Sequence, residues 1–315
     1  MKLKPLGDIK IKRGITANEL VKELHLSGGF TAKKLGQGVN ILESMFKDKE
    51  CIKFLSFPGC IVATGTRGVI CDMVKNNMVD VIITTCGTLD HDLARVWKNY
   101  YHGSFTTDDR ELHRVGINRL GNVFIPNESY GIVLEQKMQP ILEELWINGK
   151  RELTTKEMVW EFGRWLDENK VKGREDSIIY QAYKNEIPIY VPGITDGAFG
   201  SQIWMFSQDH DFKIDVLGDE KELASLVFDA KKTGALMIGG GISKHHVIWW
   251  NQFRDGLDYA VYITTAVEYD GSLSGARVRE GISWGKVSEK AKYVTIEGDA
   301  TILLPLMLGA LVERL

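Results

Sequence analysis

This 315-residue chain predicts an α/β fold of three layers, a mostly parallel central sheet flanked by helices, with further helices at the N-terminus. Three observations predict it. Short apolar and β-branched runs recur as strands: CIKFLSF (51–57), VDVIITT (79–85), IPIYVPG (187–193), GALMIGGG (234–241) and YVTIEGD (293–299). Helix-period stretches separate them, and the strands end in small or polar residues. Strands apolar on both faces that alternate with helices suit a parallel sheet covered on both sides. A strand that runs into glycines and then a helix, as at 234–253, is the arrangement of Rossmann-like folds, whose ligands sit beyond the strand ends.

The first 50 residues read as a helical layer, with Thr16 capping ANELVKEL and Thr31 opening AKKLGQGVNILESMF. A helix over 64–77 joins the first two strands into a βαβ unit. Residues 99–131 are rich in Gly, Asn, Asp and Tyr and show little periodicity, so they read as a long functional loop. Helical patterns return at 133–146, 155–169 and 177–185, with a charged, solvated link at 170–176. A turn at Thr195, Asp196 and Gly197 leads into a helix ending at Met205, and the glycines at 239–241 lead into the helix SKHHVIWWNQF. Tyr259, Val261 and Ile263 alternate with Ala260, Tyr262 and Thr264 as a buried strand. Turn residues follow at 268–275, then a short helix ending in Ser283, Trp284, Gly285 and Lys286. An apolar helix over 300–314 closes the sequence.

With 44% hydrophobic residues the chain can bury one large core or two smaller ones, and it reads as a single domain over 1–315. A net charge of -3 carries no basic footprint for nucleic acid. The apolar run at 302–312 is interrupted by Pro305 and falls short of the roughly 20 residues that span a bilayer. The first residues lack the apolar core of a signal peptide, so a cytoplasmic location is expected. Cys51, Cys60, Cys71 and Cys86 lack CxxC spacing, which points to reduced thiols and no metal site.

The stretch 258–286 carries the chemistry. An ammonium held against an apolar wall loses solvation, which favours the neutral amine that attacks carbonyls and imines. Lys286, directly beyond Trp284 and Gly285, is the candidate nucleophile; a solvated helix-end lysine is the alternative. The triple glycine before a helix N-terminus is an anion site or a tight turn. Asp90, Asp92, Asp196, Asp270 and Asp299 fall near strand ends, where carboxylates accept ribose hydroxyls, pair with ammonium groups, or cap turns and helices. His245 or His246, near the start of a helix whose dipole disfavours imidazolium, could relay a proton.

GGGISKHH, DYAVYITTAVEYDGSLSGAR, REGISWGK and GDATILLPL, with INRLGNVFIPNESY, PGITDGAFG and VDVIITTCGTLDHDLAR upstream, resemble deoxyhypusine synthases from residue 51 to the C-terminus. LDHDLAR and YYHGSF resemble the archaeal forms. The resemblance implies an NAD-dependent enzyme that moves the aminobutyl group of spermidine through an imine on Lys286 to one lysine of a translation initiation factor. It implies His245 as proton relay, Trp284 along the polyamine methylenes and Glu280 on an ammonium, with Asp90, His91, Ser201, Gly271 and Ser272 also at the substrate. For NAD it implies Gly59, Thr85, Cys86, Gly87, Asp196, Gly239, Gly240, Gly241, Thr265, Ala266, Asp270 and Asp299, and for the assembly a homotetramer.

Some positions depart from the eukaryotic pattern. Ser201 and Leu273 stand in place of aspartates, His91 in place of a glutamate, and Gly59, Cys60 and Ala63 in place of Ser, Asn and Ser. Each lost charge-assisted contact removes about 1.5 to 3 kcal/mol, so polyamine anchoring is expected to shift onto Asp90, Asp92, Asp270 and Glu280. Two alternatives share the resemblance: a homospermidine synthase with putrescine as acceptor, and an NAD-binding paralogue without activity. A conventional dehydrogenase lacks its GxGxxG fingerprint here.

Overall fold

The structure is a computed structural model that describes residue 3 and residues 5–315. The chain, read from sequence as one domain, falls into two compact units: Met1–Phe57 with Leu223–Leu315, and Pro58–Glu222. The first unit opens with α1 (Ala17–Ser27), α2 (Phe30–Lys47) and β1 (Cys51–Phe57). The Thr16 hydroxyl accepts from Glu19 N–H and the Glu19 carboxylate accepts from Thr16 N–H, both at 3.2 Å, a reciprocal cap that fixes where α1 starts. Gly28, left-handed at φ 73°, ends it. Thr31 does not open the second helix, because Gly29 takes the cap position and α2 starts at Phe30, leaving Thr31 inside the first turn.

The second unit contains α3 (Thr66–Lys75), β2 (Val81–Thr84), α4 (Cys86–Trp97), β3 (Tyr101–His102), α5 (Asp109–Arg114), β4 (Ile117–Leu120) and β5 (Val123–Pro126). It continues with α6 (Gly131–Ile147), β6 (Glu152–Leu153), α7 (Thr155–Glu168), α8 (Ile178–Lys184), β7 (Ile189–Tyr190), α9 (Ala198–Phe206) and β8 (Lys213–Ile214). Residues 99–131 are not the long loop expected. They form a three-stranded antiparallel sheet in the order β3-β5-β4, and α5 precedes β4. Leu120 pairs with Val123 across a two-residue turn in which Gly121 has φ 61°. The expected strand at 187–193 shrinks to β7, parallel to β2, since Pro188 and Pro192 offer no N–H to a ladder.

Helix α10 (Val216–Asp229) leads back into the first unit, followed by β9 (Lys232–Ile238), α11 (Gly241–Asn251), β10 (Leu257–Thr264), α12 (Glu280–Ser283), β11 (Val287–Glu297) and α13 (Ala300–Val312). Within this unit the strands run β11-β10-β9-β1, every pair parallel. Phe54, Leu55, Phe57, Leu236, Val261 and Ile263 are buried along it, as expected for strands covered on both faces. The last strand starts earlier than its apolar portion suggests: Leu257 pairs with Val287, and the register shifts before Tyr259 meets Lys292. Among the described residues no helix is long and apolar enough to cross a membrane. No cluster able to hold a metal and no disulfide is found among them.

Candidate active site

The glycines after β9 position the site. Gly239 and Gly241 adopt left-handed conformations (φ 66° and 72°), and Gly239 N–H donates to Ile263 O at 2.8 Å, tying the end of β9 to β10. A Cβ on Gly240 would lie 2.3 Å from Ser274 Cα, so only glycine permits this approach. Helix α11 then buries Ser243, Lys244, Val247, Ile248 and Asn251. On the opposite side of the pocket, Gly285 (φ 68°) closes α12, and Lys286 N–H donates to Gly281 O at 2.9 Å. That turn places Lys286 immediately before β11.

Lys286 is only 8% exposed. Its Nζ lies 3.5 Å from His245 Nε2, 5.1 Å from the Trp284 ring centroid and 5.6 Å from that of Trp249. Lys286, His245, Glu280 and Trp284 line one pocket of about 330 Å³, with Leu273 and Met237 among its apolar walls. Burial, and then the neighbouring Lys286 charge, hold the His245 imidazole below its ordinary value. A neutral imidazole with its proton on Nδ1 presents the Nε2 lone pair to the lysine. The pocket can thus hold an amine nucleophile beside a proton acceptor, with one carboxylate to receive a cation.

Lys244 belongs to this pocket too, and the sequence reading missed it. It is 2% exposed, donates to Leu273 O at 2.7 Å and Ala276 O at 2.6 Å, and has its Nζ 3.7 Å from the Tyr262 ring centroid. Burial, aided by Arg277 and opposed by Glu280, pushes its ammonium down to about 8. The readable signal was a lysine at helical spacing with Val247, Ile248 and Asn251, the face that α11 buries. Gly271 and Ser272 shape the turn before Leu273 rather than line the pocket. Gly271 is left-handed at φ 70°, and the Ser272 hydroxyl accepts from Gly275 N–H at 3.0 Å.

The positions expected to meet NAD in this unit gather beyond three neighbouring strand ends. Gly239, Gly240 and Gly241 follow β9, Thr265, Ala266 and Asp270 follow β10, and Asp299 follows β11, whose end is joined to β10 by Gly298 N–H donating to Thr264 O at 2.9 Å. Two features of these residues suit a phosphate-bearing cofactor: the N-terminus of α11 has no side-chain cap, and the buried Ser243 hydroxyl has no protein partner. Asp299 also caps α13 by accepting from Thr301 N–H at 2.8 Å, and Asp270 accepts from Ser272 N–H at 2.7 Å.

The other expected site residues lie in the second unit. Gly59 packs so closely on Gly87 that a Cβ would come within 2.3 Å of backbone, and its N–H donates to Thr85 Oγ1 at 2.9 Å. Burial pushes the Cys86 thiol far up. Asp90 is 1% exposed and accepts from Phe199 N–H at 2.7 Å, Ala198 N–H at 2.9 Å and Tyr130 OH at 2.8 Å. Its carboxylate therefore seats the first turn of α9. Asp92 takes Arg67 Nε at 2.7 Å, Ser177 Oγ at 2.6 Å, and the Ile178 and Ile179 N–H groups at 3.1 and 3.0 Å. His91 bonds Tyr100 OH at 2.9 Å, and burial lowers it to about 4. Ser201 is exposed and donates to Gly197 O at 2.9 Å, and Asp196 lies in the turn before α9.

The deoxyhypusine synthase family model matches residues 19–311. A Picrophilus torridus protein named probable deoxyhypusine synthase is 56% identical over 306 residues, 97% of this chain and 96% of its own. One from Ignicoccus hospitalis, of the same name, is 46% identical over 98% of this chain and 96% of its own. The fold is shared with an Entamoeba histolytica crystal structure named for the same enzyme, with TM-score 0.68 and 19% identity over 98% of this chain and 97% of that one. With a family match across nearly its whole length and relatives this similar, the chain belongs to the deoxyhypusine synthase family.

Proposed function

We propose that this protein transfers the 4-aminobutyl group of spermidine to one lysine of the hypusine-containing translation initiation factor, through an imine on Lys286. The observation that carries the reading is the buried Lys286 amine, 3.5 Å from His245 Nε2 in a pocket with Glu280. NAD, when bound, supplies the reversible two-electron oxidation of the amine, and Gly239, Gly240, Gly241, Thr265, Ala266, Asp270 and Asp299 are the residues of the first unit that would hold it.

The chain's own residues do the rest. His245 Nε2 takes a proton from Lys286, and the neutral amine bonds to the imine carbon of the oxidised substrate. The proton passes to the departing nitrogen, the old C–N bond breaks, and 1,3-diaminopropane leaves an aminobutyl imine on Lys286. Glu280 pairs with a substrate ammonium, while Trp284 covers the methylenes. Burial of Lys286 keeps water from the imine. The acceptor lysine then displaces Lys286, which recovers its proton, and the two electrons that the cofactor would have taken from spermidine would return to the imine carbon, leaving a saturated aminobutyl group on the acceptor. The same reading makes the assembly a cytoplasmic homotetramer, which light scattering tests for its size.

Incubation with NAD and spermidine, borohydride trapping and peptide mass mapping is the direct test. The expected result is an aminobutyl adduct confined to Lys286 and absent from Lys286→Arg. Supplying the translation factor and putrescine together should then place the group on the protein lysine. Transfer to putrescine alone would make the protein a homospermidine synthase, and an NAD-binding protein that forms no adduct would be a paralogue without activity.

A further inference from the structure

The pocket is electrostatically awkward for a polyamine. Three cationic side chains, Lys244, Arg277 and Lys286, line it against one carboxylate, Glu280. Aromatic surface stands beside that charge: Trp284 lines the pocket, and Trp249, outside the lining itself, flanks Lys286. Lys286 Nζ lies 5.1 Å from the Trp284 centroid and 5.6 Å from that of Trp249, both inside the ~6 Å within which an indole face attracts an ammonium. Trp249 stands one turn beyond His245 on α11, their ring centroids 5.6 Å apart at 33°, as four-residue spacing on a helix requires. Trp249 and Trp284 are 42% and 66% exposed, so each keeps surface that Lys286 does not cover.

Resting on the polyamine reading above, we propose that Trp249 is a specificity-determining residue: with Trp284 it forms an aromatic cradle at Lys286 Nζ that takes an alkylammonium group and its adjoining methylenes. The choice of indole over carboxylate has a physical reason. A carboxylate at this position would pair with Lys286 and hold its proton, disabling the nucleophile. An indole face attracts the substrate cation without a formal charge and packs against methylenes as well. Once Lys286 has passed its proton to His245, the substrate's ammonium is the cation that the two rings face.

Equilibrium dialysis of labelled spermidine against the NAD-loaded protein tests this, with Trp249→Leu removing the π face and Trp249→Phe keeping one. Thermal unfolding establishes that both variants fold. The leucine variant should bind spermidine about tenfold more weakly and the phenylalanine variant within about threefold of the parent. A leucine variant that binds as the parent does, or a phenylalanine variant that fails equally, overturns the cradle and leaves the transferase reading standing. A parent protein that neither binds spermidine nor forms the adduct overturns both.

Discussion

Asp92 in the second unit and Lys286 in the first are both buried charges, and their partners differ in kind. Asp92 is saturated: the Arg67 guanidinium, the Ser177 hydroxyl and two amides of α8 fill both carboxylate oxygens. Lys286 has three N–H bonds to give when protonated, and it meets one imidazole nitrogen at 3.5 Å and two ring faces. A buried charge whose hydrogen bonds are complete is fixed in one state and holds structure together. A buried amine left short of hydrogen-bond partners keeps its bonding capacity for a substrate. Asp90, filled by two amides and a phenol, sides with Asp92 although it was expected at the substrate.

Lys286→Met gives the largest effect. Methionine keeps the length and loses the amine, so the borohydride adduct should vanish and turnover should fall at least about a thousandfold, roughly 4 kcal/mol. Stability should hold or rise, because an apolar chain suits this burial better than an ammonium. A methionine variant that unfolds more easily than the parent would make Lys286 a structural residue and erase the contrast with Asp92.

Asp92→Ala comes next. It strands the Arg67 guanidinium, 6% exposed, without its counter-charge and leaves the Ile178 and Ile179 amides of α8 without their acceptor, which should lower the unfolding free energy by about 3 to 5 kcal/mol. Urea denaturation reads this directly. Asp90→Asn should do less, about 1 to 3 kcal/mol, since either orientation of the amide turns an NH2 group toward donors that now face oxygen. Neither substitution should abolish trapping on Lys286 in the protein that stays folded. Loss of the adduct in a fully folded Asp90→Asn protein would return Asp90 to the substrate.

Local signals account for what the sequence disclosed. The Thr16 helix cap, β1 and the strand–glycine–helix passage into α11 depend on neighbours a few residues away, and each stands where it was expected. The Lys286, His245, Glu280 and Trp284 constellation was legible through motif resemblance, and its pocket emerges only when α11 and α12 fold over β9. The antiparallel sheet at 101–126 escaped because its strands span two to four residues, too short for periodicity, although the Gly121-Asn122 turn between apolar runs is a hairpin signal. The role of Asp90 was out of reach for a different reason. Its partners Tyr130, Ala198 and Phe199 lie 40, 108 and 109 residues away, so only tertiary structure decides between cap and ligand.

Lys244 stands between the two extremes and gives the finest test. Like Asp92 it has backbone partners, Leu273 O and Ala276 O, and like Lys286 it lines the pocket. Its ammonium, pushed down to about 8 from an ordinary 10.5 by burial, makes folding sensitive to pH with a definite sign. Below pH 8 the folded and unfolded chains both carry the proton, and the full burden of the buried charge is present. Between pH 8 and 10.5 the unfolded chain binds a proton that the folded one has released, so unfolding requires proton uptake and stability rises with pH. The neutral amine still has two N–H groups for its two carbonyls, so the turn at 273–276 survives the titration. The unfolding free energy of the parent, measured relative to Lys244→Met, should therefore climb across this window by at most about 3 kcal/mol. A flat difference would mean that the two carbonyls stabilise the ammonium as fully as water does, which would place Lys244 with the saturated charges of the second unit.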